Sequence, residues 1–439
     1  MAPKRILVDG YNLSLEKGTG IATYARNLTY ALKELDYDVD VLYGHALPPV
    51  ALPQAREMTF FDPASFEENR WLRRLGQARA VFSLPGARTA RPVPYTGMVV
   101  DAGFKARMPR FDRLLNADNL YTIANMVNAY TGRMWPVRVE GEQPAVAHWT
   151  FPTPIRIPGA KNIYTIHDLI PMRLPYTTLD KNQRFVRMVT RIAQSADHIV
   201  TVSETSKRDI VNLLGVPEER VTNTWQAVDL PARFLNKPMD AVTSELKGIF
   251  GLDTKRYYLF FGAIEPKKNL GRLIEAYLGS GIEDPLVVIG AEAWKAEQEL
   301  RLLFDDHIRT LVQDGAETRV KRKVMRFGYA PFPLLVSLIR GAKAVVAPSL
   351  YEGFGLPALE AMLCGTPVIT TSHGASPEIV GDAAMLVDPY RVDEIRDAML
   401  ALEASAEKRA DYAERGRKRA QEFSEERYRK NLAEMYARL

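Results

Sequence analysis

Apolar residues along this chain fall into two alternating patterns: short unbroken runs, and stretches with apolar positions three or four apart. The first reads as a buried strand and the second as an amphipathic helix. Strands are predicted at 5–9, 39–43, 162–166 and 199–202, with helices at 21–35, 181–196 and 204–214. Ser203 is a good N-cap for the last of these helices. Strand followed by helix, repeated, predicts a parallel sheet covered on both faces. The rhythm loosens over 229–253, which contains Pro231 and Pro238, and then restarts. Strands follow at 257–261, 286–289, 324–327, 344–347 and 368–370, with helices at 270–278, 334–340 and 358–363. The segment 424–439 reads as an amphipathic helix carrying Tyr428, Leu432, Met435 and Tyr436. The predicted fold class is α/β, with two doubly wound, Rossmann-like domains at 1–235 and 240–420 and a C-terminal helix within 421–439. Two such domains side by side turn the carboxyl ends of both sheets toward one cleft, where ligands bind in open α/β folds.

Composition narrows the class. At 439 residues, 46% hydrophobic and 25% charged, the chain has material for more than one core. A single cysteine, Cys364, excludes an intramolecular disulfide framework and any multi-cysteine zinc or iron–sulfur site. No apolar stretch approaches the roughly 18 residues of a membrane span. The N-terminus runs straight into the first strand with no signal-peptide block. A cytoplasmic protein, soluble or peripherally bound, is expected. The net charge of +5 is mild, but 70–138 holds twelve basic residues against three acids, a local +9. That region suits an anionic partner, such as the inner membrane face or a phosphorylated acceptor, or it is a plain solvated face. No nucleic-acid motif accompanies it.

The densest chemical signal is the run from Pro348 to Glu360 between a strand and a helix that Pro357 would start well. Gly353 and Gly355 let backbone approach a ligand, and the helix start offers free N–H groups to an anion. Glu352 and Glu360 flank the turn, and carboxylates there suit ligand hydroxyls better than phosphate. A phosphate flanked by polyols describes a nucleotide sugar; the same run also serves as a plain glycine turn with a glutamate steadying the helix dipole. Lys267 and Lys268, after the strand at 257–261, can neutralise a diphosphate or simply be solvated. His167 and Asp168 follow the strand at 162–166, at the ligand end of a parallel sheet, where a histidine is equally able to be structural. Gly18 and Gly20 form a short glycine turn before a helix. The Asp36, Asp38 and Asp40 alternation imitates a metal–nucleotide signature but falls at a helix-to-strand junction, where polar alternation is ordinary. No metal site is predicted, and metal-independent chemistry is expected.

Glu352 and Glu360, with seven residues between them that include Gly-Phe-Gly-Leu-Pro, resemble the paired-glutamate signature of glycosyltransferase family 4. Ala347–Ser349, the run from Ala361 to Ile369, and Gly262-Ala263-Ile264-Glu265-Pro266-Lys267-Lys268-Asn269 are similar to the same family, as is Ile166-His167-Asp168-Leu169-Ile170-Pro171. The likeness spans nearly the whole chain and is weakest over 50–145. It implies the GT-B fold, with a C-terminal helix crossing back to the first domain, and a retaining transfer of sugar from a nucleotide diphosphate. By that resemblance Glu360 binds the donor ribose, and Glu352 contacts the transferred sugar. The backbone around Gly353, Phe354, Gly355 and Leu356 holds sugar and diphosphate oxygens, while Lys267 and Lys268 bind the diphosphate. Lys267 departs from the more usual arginine, which loses a bidentate fork. Gly18 and Gly20 match a glycine loop on the donor, His167 faces the sugar, and Asp168 lies on the acceptor side. Glu378 matches a position that is usually acidic, with no clear role. The favoured donor is GDP-mannose and the favoured acceptor a lipid-linked glycan of polysaccharide or lipopolysaccharide assembly. A soluble acceptor, as in sucrose- or trehalose-type synthases, and an epimerase of the same fold are the alternatives.

Overall fold

A computed structural model describes residues 5–15, 20–46, 53–61, 88–97, 99, 108–178, 182–304, 309–314 and 317–439. The first sheet comprises β1 (Arg5–Asp9), β2 (Asp38–Tyr43), β3 (Arg88–Val93), β4 (Arg113–Asn116), β5 (Trp135–Val139), β6 (Val146–Trp149), β7 (Ile155–Arg156), β8 (Lys161–Thr165), β9 (His198–Thr201) and β10 (Val221–Asn223). Their order is β10-β9-β8-β6-β1-β2-β4-β3-β5-β7. β11 (Tyr258–Phe261), β12 (Leu286–Ile289), a separate hairpin of β13 (Arg309–Asp314) and β14 (Glu317–Arg322), β15 (Val324–Phe327), β16 (Ala344–Ala347), β17 (Val368–Thr371) and β18 (Met385–Val387) follow. The second sheet runs β15-β12-β11-β16-β17-β18, every neighbouring pair parallel. The central strands β6, β11, β12 and β17 are buried along their whole length, which is why β11 and β12 read as unbroken apolar runs; β6, interrupted by His148, is not among the predicted strands.

Three expectations are corrected. β3 runs antiparallel to β4, so the first sheet is not wholly parallel. Pro92 lies within β3, opposite Leu115. The stretch taken as loose contains two helices, Ala232–Leu235 and Met239–Phe250, and the prolines that suggested a breaker are their N-caps. A proline there gives up an N–H that no intrahelical partner would have used. The basic region is also thinner than its count. Arg113 binds the buried Asp40 at 2.6 Å, Arg110 pairs with Glu34 at 3.3 Å, and Arg91 faces Glu140 at 3.7 Å. Arg70, Arg73, Arg74, Arg79, Lys105 and Arg107 lie outside the described residues. Asp40 also holds Arg5 at 2.9 Å, so it anchors the amino end of β2, away from the cleft.

The chain ends in the helix Glu425–Ala437, capped by Ser424 and laid against the helix Gly20–Glu34 of the first domain. Tyr428, Leu432, Met435 and Tyr436 are buried, each apolar side chain contributing about 1.5–3 kcal/mol. They join one apolar cluster that runs from Ile6 and Val8 through to Leu359 and Val368 of the second domain. The Tyr436 hydroxyl meets His148 Nδ1 at 2.5 Å, and His148 Nε2 meets Thr165 Oγ1, which also contacts the Tyr24 hydroxyl at 3.0 Å. Burial pushes His148 from its ordinary 6.5 down to about 3. The unfolded chain therefore binds a proton that the folded chain refuses between these values, and stability falls as pH falls through that window. His148→Phe is expected to unfold at a lower temperature near neutrality yet to lose less stability than wild type between pH 6.5 and 4.5. Scanning calorimetry against pH checks it; parallel curves would contradict a neutral buried His148.

Candidate functional site

In the second sheet the chain turns to opposite sides after β11 and after β16, which are neighbours, so a crevice opens between their carboxyl ends. The loops leaving those strands carry Lys267 with Lys268, and Glu352 with Gly353–Leu356. Asn269, at φ +60, ties the two loops together: its Nδ2 donates to Pro348 O at 2.9 Å and to Pro389 O at 2.7 Å. Leu350 N donates to Lys267 O at 2.8 Å. The lysine pair and the glutamate are thereby set on one rigid edge.

Lys268 Nζ donates to Glu352 Oε1 at 2.6 Å, and Ser349 Oγ donates to the same oxygen at 2.6 Å. Burial would raise the Glu352 carboxyl, but Lys268 and Lys267 outweigh it and hold the group below its ordinary value. Lys267 Nζ lies 3.3 Å from the buried Glu265. Burial works against its charge, while Asp168, Glu265 and Glu352 together hold its pKa above the usual lysine value. The Lys267 ammonium is thus held charged, and both lysines stand at one crevice with the carboxylates of Asp168, Glu265 and Glu352.

Next to them begins the helix Leu356–Leu363, with Gly355 at φ +105 as its N-cap and Pro357 in its first turn. That backbone angle suits glycine and few other residues. The N–H groups of 353–356 make no hydrogen bond to a described residue. These are the orphan donors of a helix start, gathered beside two lysines. The Phe354 side chain turns away into the core, edge-on to Phe423 at 5.7 Å. Glu360, one turn on, is half-buried, and its carboxylate makes no hydrogen bond or ion pair with a described residue. Burial pushes its carboxyl up to about 7.

The first domain closes the crevice. A Cβ on Gly353 would sit 2.7 Å from Asp168 Cβ and 3.0 Å from His167 O, so only glycine fits there. His167 Nε2 donates to Thr150 O at 2.9 Å and its ring stands edge-on to Tyr24 at 4.8 Å; burial lowers its pKa, leaving it neutral. Asp168 Oδ1 accepts from Ile170 N at 3.0 Å, starting the short helix Ile170–Arg173. Gly20 begins the helix Gly20–Glu34, and Leu356 Cδ1 lies 3.0 Å from where a Cβ on Gly20 would stand. Gly18 lies outside the described residues. Lys267, Lys268, Glu352, Gly353 and Leu356 of the second domain thus meet Gly20, His167 and Asp168 of the first, whereas the Phe354 side chain faces the core. Sequence reasoning missed Tyr351, whose hydroxyl donates to Asp209 Oδ2 across the domains at 2.7 Å, with Arg173 on the other oxygen. Nothing in local sequence pairs residues so far apart. It also left Glu378 without a role, although its carboxylate reaches the first domain.

Two facing Rossmann-like domains, a site on the seam and a terminal helix that crosses back define the GT-B class of sugar-transferring enzymes. Comparison with known proteins gives the family. Residues 19–223 match the profile of the glycosyl transferase 4-like domain, and residues 243–419 match that of glycosyl transferases group 1. The chain belongs to glycosyltransferase family 4. It is 31% identical over 270 residues to O-antigen chain mannosyltransferase B of Escherichia coli, covering 60% of this chain and 66% of that protein. It is 29% identical over 244 residues to the serotype-specific mannosyltransferase WbdA of Escherichia coli, covering 54% of this chain and 29% of the relative. The match therefore spans less than two thirds of either relative's length. Among solved structures, Anabaena Alr3699/HepE in complex with UDP and glucose superposes with a TM-score of 0.62 at 16% identity, covering 99% of this chain and 100% of that one. That likeness bears on fold alone.

Proposed function

We propose that this glycosyltransferase moves mannose from GDP-mannose to a hydroxyl of a lipid-linked glycan, with retention of anomeric configuration and without a metal. The observation that carries the reading is the crevice itself, where Lys267 and Lys268 adjoin a helix start whose N–H groups at 353–356, and whose Glu360 carboxylate, have no hydrogen-bond partner among the described residues. Lysines and helix N–H groups match a diphosphate whose charge rises as the sugar departs. Carboxylates match hydroxyls: Glu360 those of the ribose, Glu352 those of the sugar, with His167 and Asp168 facing them from the first domain. As Glu352 turns to a sugar hydroxyl, Lys268 is released toward the diphosphate. The departing diphosphate then takes up the acceptor proton on the face where the acceptor attacks, and the protein's part is positioning. Mannose is favoured because the relatives above are mannosyltransferases, and the O-antigen chain in the first one's name favours a lipid-linked acceptor at the inner membrane face.

A thermal-shift panel of GDP, UDP and dTDP tests the donor, since a ligand that binds only the folded state stabilises it. GDP is expected to give the largest shift, and sugar transfer from GDP-mannose is expected to continue in excess EDTA. A larger shift with UDP would move the donor assignment. Turnover that stops on chelation and returns with magnesium or manganese would overturn the metal-free reading.

A further inference from the structure

We infer that Glu378 is a positioning residue that sets the register between the two halves of the site by holding the hinge shut. Glu378 sits on the helix Ser376–Val380 of the second domain, yet its carboxylate is engaged by the first. Glu204 N donates to Oε1 at 2.8 Å; Thr205 N and Thr205 Oγ1 donate to Oε2 at 3.0 and 3.2 Å. The Trp225 indole Nε1–H donates to Oε1 at 3.0 Å. Four donors from two other parts of the molecule converge on one side chain.

Each partner leads to the site or to the hinge. Glu204 and Thr205 open the helix Glu204–Leu214, whose third N–H, Ser206, is capped by Ser203 Oγ at 3.0 Å. The first two orphan donors of that helix are therefore satisfied by the other domain, and only when the domains are together. Ser206 Oγ donates to His167 O at 2.9 Å and lies 3.4 Å from Gly353 O, so the same helix end touches both walls of the cleft. On the second domain, Ala375 N donates to Glu352 O at 2.8 Å, and Arg419 grips Glu378 O at 2.6 Å and Ile379 O at 2.8 Å. Glu378 and Glu352 thus move as one body.

Trp225 lies in the connection between the two domains, after β10, and has φ +53. A bulky residue in that conformation is strained and persists only where its surroundings hold it. Arg427 stacks over its ring at 4.9 Å, Phe423 meets it edge-on at 6.3 Å, and Glu378 fixes its indole N–H. Opening the cleft breaks the Glu378 bonds, exposes two helix N–H groups and frees Trp225 to relax. Closing it restores all three and brings Gly353 against Asp168. Glu378 touches neither lysine nor Glu360, so it acts on alignment and not on donor contact. The Tyr351–Asp209 bond joins the domains elsewhere, but it reaches no hinge residue.

The kinetic part of this inference rests on the glycosyl-transfer reading; the conformational part does not. In Glu378→Ala, kcat is expected to fall about tenfold or more while GDP affinity stays within about threefold. Small-angle scattering should show a more open particle that nucleotide no longer compacts, with a matching change in Trp225 emission read against Trp225→Phe. Glu378→Gln keeps one acceptor oxygen of two, so a loss of about threefold is expected. Wild-type kcat and scattering in the alanine variant would overturn the inference. Should that variant fail to fold, the same wild-type outcome in Glu378→Gln would overturn it. If wild type itself transfers no sugar from any nucleotide, the functional reading fails, and scattering alone decides the role of Glu378.

Discussion

Lys268→Ala is expected to lower kcat by about 10²–10³-fold, the cost of removing one preorganised charge from a developing anion. In the free protein Lys268 is held by Glu352 at 2.6 Å, so the ammonium waits at the crevice already desolvated and oriented. A diphosphate leaving a sugar gains negative charge in the transition state, and under the proposed function this lysine is the group that meets it. Its loss should therefore weigh more on kcat than on donor KM. A second effect has the same origin. With Lys268 gone, Glu352 loses the largest influence holding its carboxyl low, and burial then lifts it toward protonation. The variant's remaining activity should accordingly fall off at a higher pH on the acid side than wild type does. Lys268→Arg keeps the charge and is expected to recover part of the rate. Steady-state kinetics from pH 5 to 8 checks this, and a kcat within threefold of wild type in the alanine variant would remove Lys268 from the mechanism.

The parts of this molecule that were legible in sequence are those built from local rules. The helix Glu204–Leu214 and its Ser203 cap follow from one serine and an apolar period, and the fully buried strands β11 and β12 follow from unbroken apolar runs. The loops after β11 and β16 were legible as site loops because ligand-binding residues follow parallel strands. What could not be read depends on partners far away in sequence. β7 is two residues long, and β3 alternates poorly and carries a proline, so neither has a periodic signature. The basic count over 70–138 overstated the surface charge because Arg113 and Arg110 are neutralised by Asp40 and Glu34, which precede the window. Glu378 could be noticed as a residue, but its partners Glu204, Thr205 and Trp225 are separated from it by 174, 173 and 153 positions. The individual roles of Glu352 and Glu360 came from family resemblance. Spacing alone places two carboxylates near a helix start and leaves open which sugar each one meets.

Glu360→Ala is expected to weaken GDP binding by about 10–100-fold, since two ribose hydroxyls would lose a carboxylate acceptor inside a partly desolvated crevice. The pH dependence gives this prediction a sign. Without ligand, burial lifts the Glu360 carboxyl to about 7. To accept two hydroxyl hydrogens it must be ionised, so binding below pH 7 releases a proton and affinity should fall as pH falls, with a limiting slope near tenfold per unit. Titration calorimetry in buffers of different ionisation enthalpy would show that proton leaving in wild type and none in the variant. Stability should move the other way. The folded pKa lies above the ordinary 4.5, so the free protein loses stability as pH rises from about 4.5 through 7, where the buried group is forced to ionise. Glu360→Gln removes that charge and keeps the shape. It is expected to melt higher than wild type at pH 8, with the gap closing below pH 5. A residue serving the fold would lose stability when replaced, whereas a residue held ready for a ligand gains stability and loses affinity. GDP affinity equal to wild type in Glu360→Ala would place the ribose elsewhere, whatever the melting curves show.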